Sequence, residues 1–176
     1  MSDDISAALA RTHGRITWSP EWSRNSDVEP AIAVTPDGLA IKIQLLRNDH
    51  YQPWPTETRE IEQRYRDAPP AVLRVPTLLS SAGWKTAAWM DRGAARDLYD
   101  LWALSNVGAL NAESASLFAK HGPTNNPPRS WMFDHAPSTT EWQAQLAGQT
   151  RLTVTPDQAL AAVRTAWATA VNEDWP

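Results

Sequence analysis

Residues 84–104, WKTAAWMDRGAARDLYDLWAL, predict two helices separated at Gly93. In the second of these helices Leu98, Leu101 and Trp102 follow helical spacing, which gives it one apolar face for a core. The first helix carries a single lysine in an otherwise weakly polar run. This helix pair decides the fold of the C-terminal half of the chain.

Charged side chains of the helix pair have spacings that favour a common cleft. Asp97 and Asp100 are three residues apart and share a helix flank, and Arg96 lies four residues before Asp100, so those two can form an ion pair. Lys85 lies on the preceding helix. We expect these four side chains to gather at one site. Two simpler explanations remain open: Arg96 and Asp100 could form only an ion pair on the helix surface, and Lys85 could lie on a solvated face.

Composition limits the classes of function. The chain has 176 residues and a net charge of −4, so a nucleic-acid partner would need a local basic patch. It has no cysteine, which excludes disulfides, and its four histidines lie at no ligand-like spacing, so we expect neither zinc nor haem. No apolar run reaches the roughly 18–20 residues of a membrane span, and the N-terminus MSDDIS does not resemble a signal peptide. These features predict a soluble, cytoplasmic protein without a membrane partner.

The order of elements predicts the α+β class. Two apolar segments flank Pro36-Asp37-Gly38, a turn sequence, and predict a β-hairpin over about residues 30–46. Ile41, Ile43 and Leu45 alternate with Lys42 and Gln44, so one face of the second strand should be buried. A helical C-terminal half follows the hairpin.

Between these regions we predict a polar helix from Thr56 to about Arg66, because Thr56 can cap it and acids follow. A short strand is predicted over Val72–Val75, and Thr155-Pro156-Asp157-Gln158 is typical of a helix start. Three portions are expected: an α/β portion at 1–76, a helical core at 77–122, and a C-terminal helical portion at 123–176, within one continuous domain.

Lys85 followed by Ala95-Arg96-Asp97-Leu98-Tyr99-Asp100-Leu101 resembles the third and fourth motifs of the AbiEii/AbiGii toxin family. These proteins are nucleotidyltransferases of the polymerase-β-like superfamily that are encoded beside an antitoxin. Their pattern is a helix with a lysine, a short basic break, here Asp91-Arg92-Gly93, and a helix that begins with ARDLYDL. The detailed resemblance covers about Val72 to Leu104, and it implies that the hairpin belongs to a remnant of the superfamily's sheet.

The resemblance implies roles for the clustered residues. Lys85, Asp97 and Asp100 would be the catalytic set, with Lys85 contacting a nucleoside triphosphate and the acids orienting the lysine or the acceptor end. Arg92 and Arg96, together with Lys85, would bind phosphates. The implied reaction uses NTP and Mg²⁺ to add nucleotides to tRNA 3′ ends, and the implied partners are tRNA and a cognate antitoxin. We expect Tyr99 and Trp102 to lie in the core or in an interface, and not to serve as platforms on which bases stack.

One departure from the family pattern concerns the metal. The family's first motif, a G-S segment followed by D-x-D on an early strand, binds the metal ions, and no such motif is found in this chain. The only early acids, Asp3 and Asp4, lie at the start of a predicted helix. We therefore assign no metal ligand, and expect either an N-terminally shortened enzyme or an inactive relative that shows little transfer by itself.

Four arginines in the central third, Arg59, Arg64, Arg66 and Arg74, are weaker candidates for RNA binding. Acids interleave with them, so a solvated helix of mixed charge explains residues 57–67 equally well. Three hypotheses follow: a toxin-type nucleotidyltransferase, a non-catalytic module that binds antitoxin or RNA, and an unrelated α+β domain. Only the third predicts that Lys85, Arg96 and Asp97 do not converge.

Overall fold

The computed structural model describes residues 2–21, 30–43, 53–63 and 70–175, with side chains described from residue 6 onward. The chain divides into two compact units, Met1–Tyr51 and Gln52–Pro176. Their elements are helices and small antiparallel sheets, so the α+β prediction is confirmed. The three-part division at residues 76 and 122 stays a prediction.

The described part of the N-terminal unit contains helix α1 (Ser2–His13) and a three-stranded antiparallel sheet. Its strands are β1 (Thr17–Ser19), β2 (Ala31–Val34) and β3 (Ala40–Ile43), with β2 in the centre. β2 and β3 form the predicted hairpin. The turn between them has Gly38 at φ 86°, a backbone conformation that glycine adopts without steric cost.

The prediction that one face of the second hairpin strand is buried is wrong at Ile41, which is 37% exposed. Ile43 on the same face is half-buried. Gln44 and Leu45 lie outside the described residues. The buried side chains of this sheet belong instead to the central strand, at Ala31 and Ala33. Ile32 on the same central strand is 39% exposed, so the buried face of β2 is the one that carries the two alanines.

The second unit begins with a two-stranded antiparallel ribbon, β4 (Thr56–Ile61) and β5 (Ala71–Pro76). The predicted strand at 72–75 is therefore confirmed, but the predicted helix from Thr56 is wrong over residues 56–61. Threonines followed by acids are also compatible with a strand, and pairing with β5 outweighs the local helix-start signal. Residues 64–66, where that helix was expected to end, lie outside the described residues.

The predicted helix pair is confirmed. α2 (Leu78–Arg92) begins where the Thr77 side chain accepts a hydrogen bond from the backbone N–H of Ser80, and α3 (Ala95–Asn106) follows. The break is at Gly93, which ends α2 with a left-handed backbone at φ 57°. The segment between the helices is thus only two residues long.

Three further α-helices follow in the described part of the second unit, and each begins with a side-chain cap. Asn111, Ser138 and Thr155 each form a capping box at the start of the following helix. These helices are α4 (Ala112–His121), α5 (Thr139–Leu146) and α6 (Pro156–Val171), and a 3₁₀ turn at Ser130–Phe133 lies between α4 and α5.

One hydrophobic core unites these helices. It includes side chains that are fully buried: Leu98, Leu101, Phe118, Phe133, Trp142, Val163 and Trp167. Side chains from both sides of the breaker-rich 122–128 loop thus pack together. This core fixes α3 against α5 and α6, and α2 against α3 and α4. No helix among the described residues is long and apolar enough to cross a membrane.

Candidate active site

The α2–α3 break places charged side chains of the two helices face to face. Lys85 and Arg92 are seven residues apart on α2, which is close to two helical turns and puts them on one face. Asp97 and Asp100 share a face of α3 for the same reason. Because only Gly93 and Ala94 separate the helices, the cationic face of α2 meets the acidic face of α3.

Asp97 is the buried centre of this arrangement, with 0% of its side chain exposed. Arg92 donates two hydrogen bonds to it, from Nε to Oδ2 at 2.7 Å and from Nη2 to Oδ1 at 3.0 Å. Lys85 Nζ donates a third, to Oδ1, at 3.1 Å. A buried carboxylate normally costs free energy, and here two cations compensate for its burial.

Lys85 lies between two carboxylates. Besides its contact with Asp97, its Nζ is 2.6 Å from Oδ2 of Asp100, whose side chain is 45% exposed. The pairing of Asp100 with Lys85 replaces the Arg96–Asp100 pair that the sequence suggested. Within the described ranges no carboxylate lies within 4.0 Å of the Arg96 guanidinium, and Arg96 is exposed.

These contacts keep both partners charged at neutral pH. Burial by itself would raise the pKa of Asp97, but hydrogen bonds and charge from Arg92 and Lys85 outweigh it and lower the pKa below its ordinary 3.8. Burial would lower the pKa of Lys85, but Asp100 and then Asp97 outweigh it and raise the pKa above 10.5. Lys85 is therefore an ammonium ion at neutral pH and not a proton acceptor.

The charged residues line a cavity of about 480 Å³. Its cationic side is formed by Lys85, Arg92 and Arg96 together with the two acids, which leaves one net positive charge. The same cavity also has a neutral polar lining, called the neutral side below, formed by Tyr99, Gln149 and Thr150. A cavity of this size and polarity suits a small anionic ligand with an uncharged portion.

The site residues do not fit a divalent metal ion. Both oxygens of Asp97 already accept hydrogen bonds from cationic side chains, and Asp100 Oδ2 is in contact with Lys85. Across the parts of the chain that the structure describes, no group of three or more histidines and acids could hold a metal. Asp3 and Asp4 lie at the start of α1.

The two RNA-binding candidates that the structure describes, Arg59 and Arg74, do not share a patch. Arg59 is paired across the ribbon with Leu73, and Arg74 with Thr58, so the two arginines lie on opposite faces of the β4–β5 ribbon. Arg59 Nε contacts Glu57 at 3.0 Å, and Arg74 donates to the hydroxyl of Thr56 at 2.9 Å. Arg64 and Arg66 lie outside the described residues.

Sequence reasoning missed the neutral side of the cavity. The Tyr99 ring packs against Trp102 and Trp142, with ring centroids 5.3 and 5.9 Å apart, as expected of a core aromatic. Its hydroxyl, however, lies 3.3 Å from Thr150 Oγ1, a residue 51 positions further along the chain. No local pattern around Gln149 or Thr150 signals that proximity.

A larger hollow of about 750 Å³ follows the C-terminal half of α6. Two of its three charged lining groups already serve the fold, since Arg164 donates to the carbonyl oxygen of Phe133 at 2.8 Å and Glu173 pairs with Arg129. We therefore take the α2–α3 cavity as the candidate active site.

Comparison with known proteins finds a family match that spans most of the chain. A family model described as "Nucleotidyl transferase AbiEii toxin, Type IV TA system" matches residues 3–171. No curated protein and no solved structure matches the chain. The family match includes every residue of the α2–α3 cavity.

Proposed function

We propose that this chain, which belongs to the AbiEii nucleotidyl transferase toxins of type IV toxin–antitoxin systems, binds a nucleoside triphosphate in the α2–α3 cavity and transfers nucleotides to tRNA 3′ ends. The family implies an antitoxin partner. The observation that supports the proposal most strongly is the convergence of Lys85, Arg96, Asp97 and Asp100 on one cavity.

Lys85 is suited to hold a phosphate oxygen. An ammonium group has three N–H donors. Two acids engage it, Asp97 at 3.1 Å and Asp100 at 2.6 Å, so one donor remains for a ligand. The acids also restrict where the ammonium can point, which gives Lys85 a fixed position without the entropic cost of ordering a free side chain on binding.

The two arginines serve different purposes. Arg92 is committed to Asp97 by its two hydrogen bonds, so it fixes the carboxylate that orients Lys85. Arg96 is exposed at the cavity, and among the described residues it has no acidic partner. Its guanidinium is therefore free to bind phosphate in the bidentate manner typical of arginine.

Nucleotidyl transfer needs charge stabilisation more than covalent help from the protein. The acceptor 3′-hydroxyl loses its proton to solvent as its oxygen bonds to the α-phosphorus, and the bond from that phosphorus to the pyrophosphate oxygen breaks, which releases pyrophosphate. Lys85 and Arg96 would stabilise negative charge on the phosphates as it shifts toward the leaving group. Mg²⁺ and NTP are what such a reaction uses, but no residue described here is assigned to the metal.

A second candidate is a non-catalytic module that binds nucleotide, RNA or antitoxin. The occupied oxygens of Asp97 favour it, because these acids orient Lys85 and leave no described ligand set for a cation. The two candidates differ in one observable: both predict ligand binding, but only the transferase predicts incorporation of label.

The test is incubation of the purified chain with total tRNA, Mg²⁺ and each labelled NTP. The transferase proposal predicts label at the tRNA 3′ end that Lys85→Ala abolishes. Such label would overturn the expectation, drawn from the missing D-x-D motif, that the chain transfers little by itself. Lys120→Ala, which removes an exposed lysine at the end of α4, should retain it. Absence of label from the unaltered chain with all four NTPs, while ATP still binds, would favour the non-catalytic module.

A further inference from the structure

We infer that the neutral side of the cavity, formed by Gln149, Thr150 and the Tyr99 hydroxyl, binds the nucleoside portion of the triphosphate. This inference rests on the proposed function, because it takes the occupant of the cavity to be a nucleoside triphosphate. It assigns a role to residues that the family motifs in the helix pair do not include.

The backbone of this side is fixed to the core. After α5, the backbone N–H groups of Gln149 and Thr150 both donate to the carbonyl oxygen of Leu146, at 2.9 and 3.1 Å. The Leu146 side chain is itself buried, with 3% exposed. A turn held in this way fixes the backbone positions from which its side chains reach the cavity, which favours a specificity-determining contact.

The Tyr99 hydroxyl is fixed as well. Its ring packs against both Trp102 and Trp142, and its oxygen is 3.3 Å from Thr150 Oγ1. Tyr99 immediately precedes Asp100, whose carboxylate contacts Lys85. Tyr99 and Thr150 line the same cavity as Lys85 and Arg96, so one small molecule could contact both the hydroxyl pair and the cations.

The chemistry of the two sides is complementary to the two halves of a nucleotide. Phosphates are bound best by cations such as Lys85 and Arg96. Ribose hydroxyls and base edges are neutral groups with both donors and acceptors, and the Gln149 amide and the two hydroxyls offer both. Gln149 is exposed, so its amide is free to turn toward a ligand.

The experiment compares ATP with inorganic tripolyphosphate by calorimetric titration. A Gln149→Ala/Thr150→Val variant should bind ATP about tenfold more weakly, the factor that two ordinary hydrogen bonds produce, with tripolyphosphate affinity unchanged. A matched variant on α5, Gln143→Ala/Thr140→Val, changes the same residue types at exposed positions that do not line the cavity, and it should leave both affinities unchanged.

Two outcomes would overturn the inference. If the double variant loses affinity for both ligands equally, or for neither, the neutral side does not bind the nucleoside, although the proposed function survives. If the unaltered chain binds neither ATP nor tripolyphosphate, the proposed function fails and this inference with it. If the double variant folds poorly, the same two titrations are made with Tyr99→Phe, which keeps the ring packing and removes only the hydroxyl.

Discussion

Replacing Asp97 by asparagine tests the charge network on which the site depends. The substitution keeps the shape of the side chain but removes its charge, and it turns one acceptor oxygen into an NH₂ group that faces the Arg92 guanidinium. Three charged hydrogen bonds, at 2.7, 3.0 and 3.1 Å, are lost or weakened. Breaking a buried ion pair from one side costs about 3–5 kcal/mol.

Solvent reduces this cost, because the side chains of Arg92 and Lys85 are 60% and 28% exposed and can regain water. We therefore expect Asp97→Asn to lower the free energy of unfolding by about 2–4 kcal/mol at pH 7. The assay is urea unfolding followed by tryptophan fluorescence. Asp91→Asn, an exposed acid in the last turn of α2, is the control and should change stability by less than about 0.5 kcal/mol.

The difference in free energy of unfolding between the two chains should also depend on pH, in a direction set by the pKa of Asp97. The pKa of Asp97 is lower in the folded chain than its ordinary 3.8, so its ionised form stabilises the fold. That contribution is complete above pH 3.8 and is lost as the pH falls through the folded-state pKa. The stability difference between the unaltered chain and Asp97→Asn should shrink accordingly below about pH 4. A difference under 0.5 kcal/mol at pH 7, or one independent of pH, would refute the reasoning.

Two further predictions concern the cavity and the helix break. Arg96→Gln should weaken ATP binding about tenfold because it removes a charged hydrogen bond, and it should leave the melting temperature unchanged. Arg15→Gln, in the other unit, is the control and should change neither quantity. Equal ATP affinities of the three chains by calorimetry would show that Arg96 does not bind the ligand. Gly93→Ala should lower the free energy of unfolding by about 1–2 kcal/mol, because the backbone at Gly93 is left-handed with φ 57°. Gly93→Asn should lower it by less, since asparagine tolerates that conformation better. Equal melting temperatures of the unaltered chain and both variants would contradict this.

The helix pair was predictable from sequence because its information is local. Helical spacing of Leu98 and Leu101 defines a core face, and Gly93 marks the break. The approach of Lys85 to Asp97 follows once two helices are separated by so short a segment. The ion pair between Arg92 and Asp97 was missed because spacing rules within one helix favoured Arg96 with Asp100, whereas Arg92 reaches its partner across the break.

Other features depend on contacts between distant segments. β4 was predicted as a helix because its threonine and acids imitate a helix start, and only its pairing with β5 shows otherwise. Likewise, the hydroxyl groups of Thr150 and Tyr99 come into contact because α5 packs against α3. These residues are too far apart in the chain for a local sequence pattern to predict the contact. The charged half of the cavity was thus predictable from local spacing, and the neutral half was not.

The central claim is that the Lys85 ammonium, held by Asp97 and Asp100, binds the phosphates of a nucleotide. Its most direct test is calorimetric titration of ATP into the unaltered chain, Lys85→Ala and Lys120→Ala. We predict one saturable site in the unaltered chain and in Lys120→Ala, and at least about tenfold weaker binding in Lys85→Ala, because a charged contact is lost. Equal affinity in all three chains would contradict the claim.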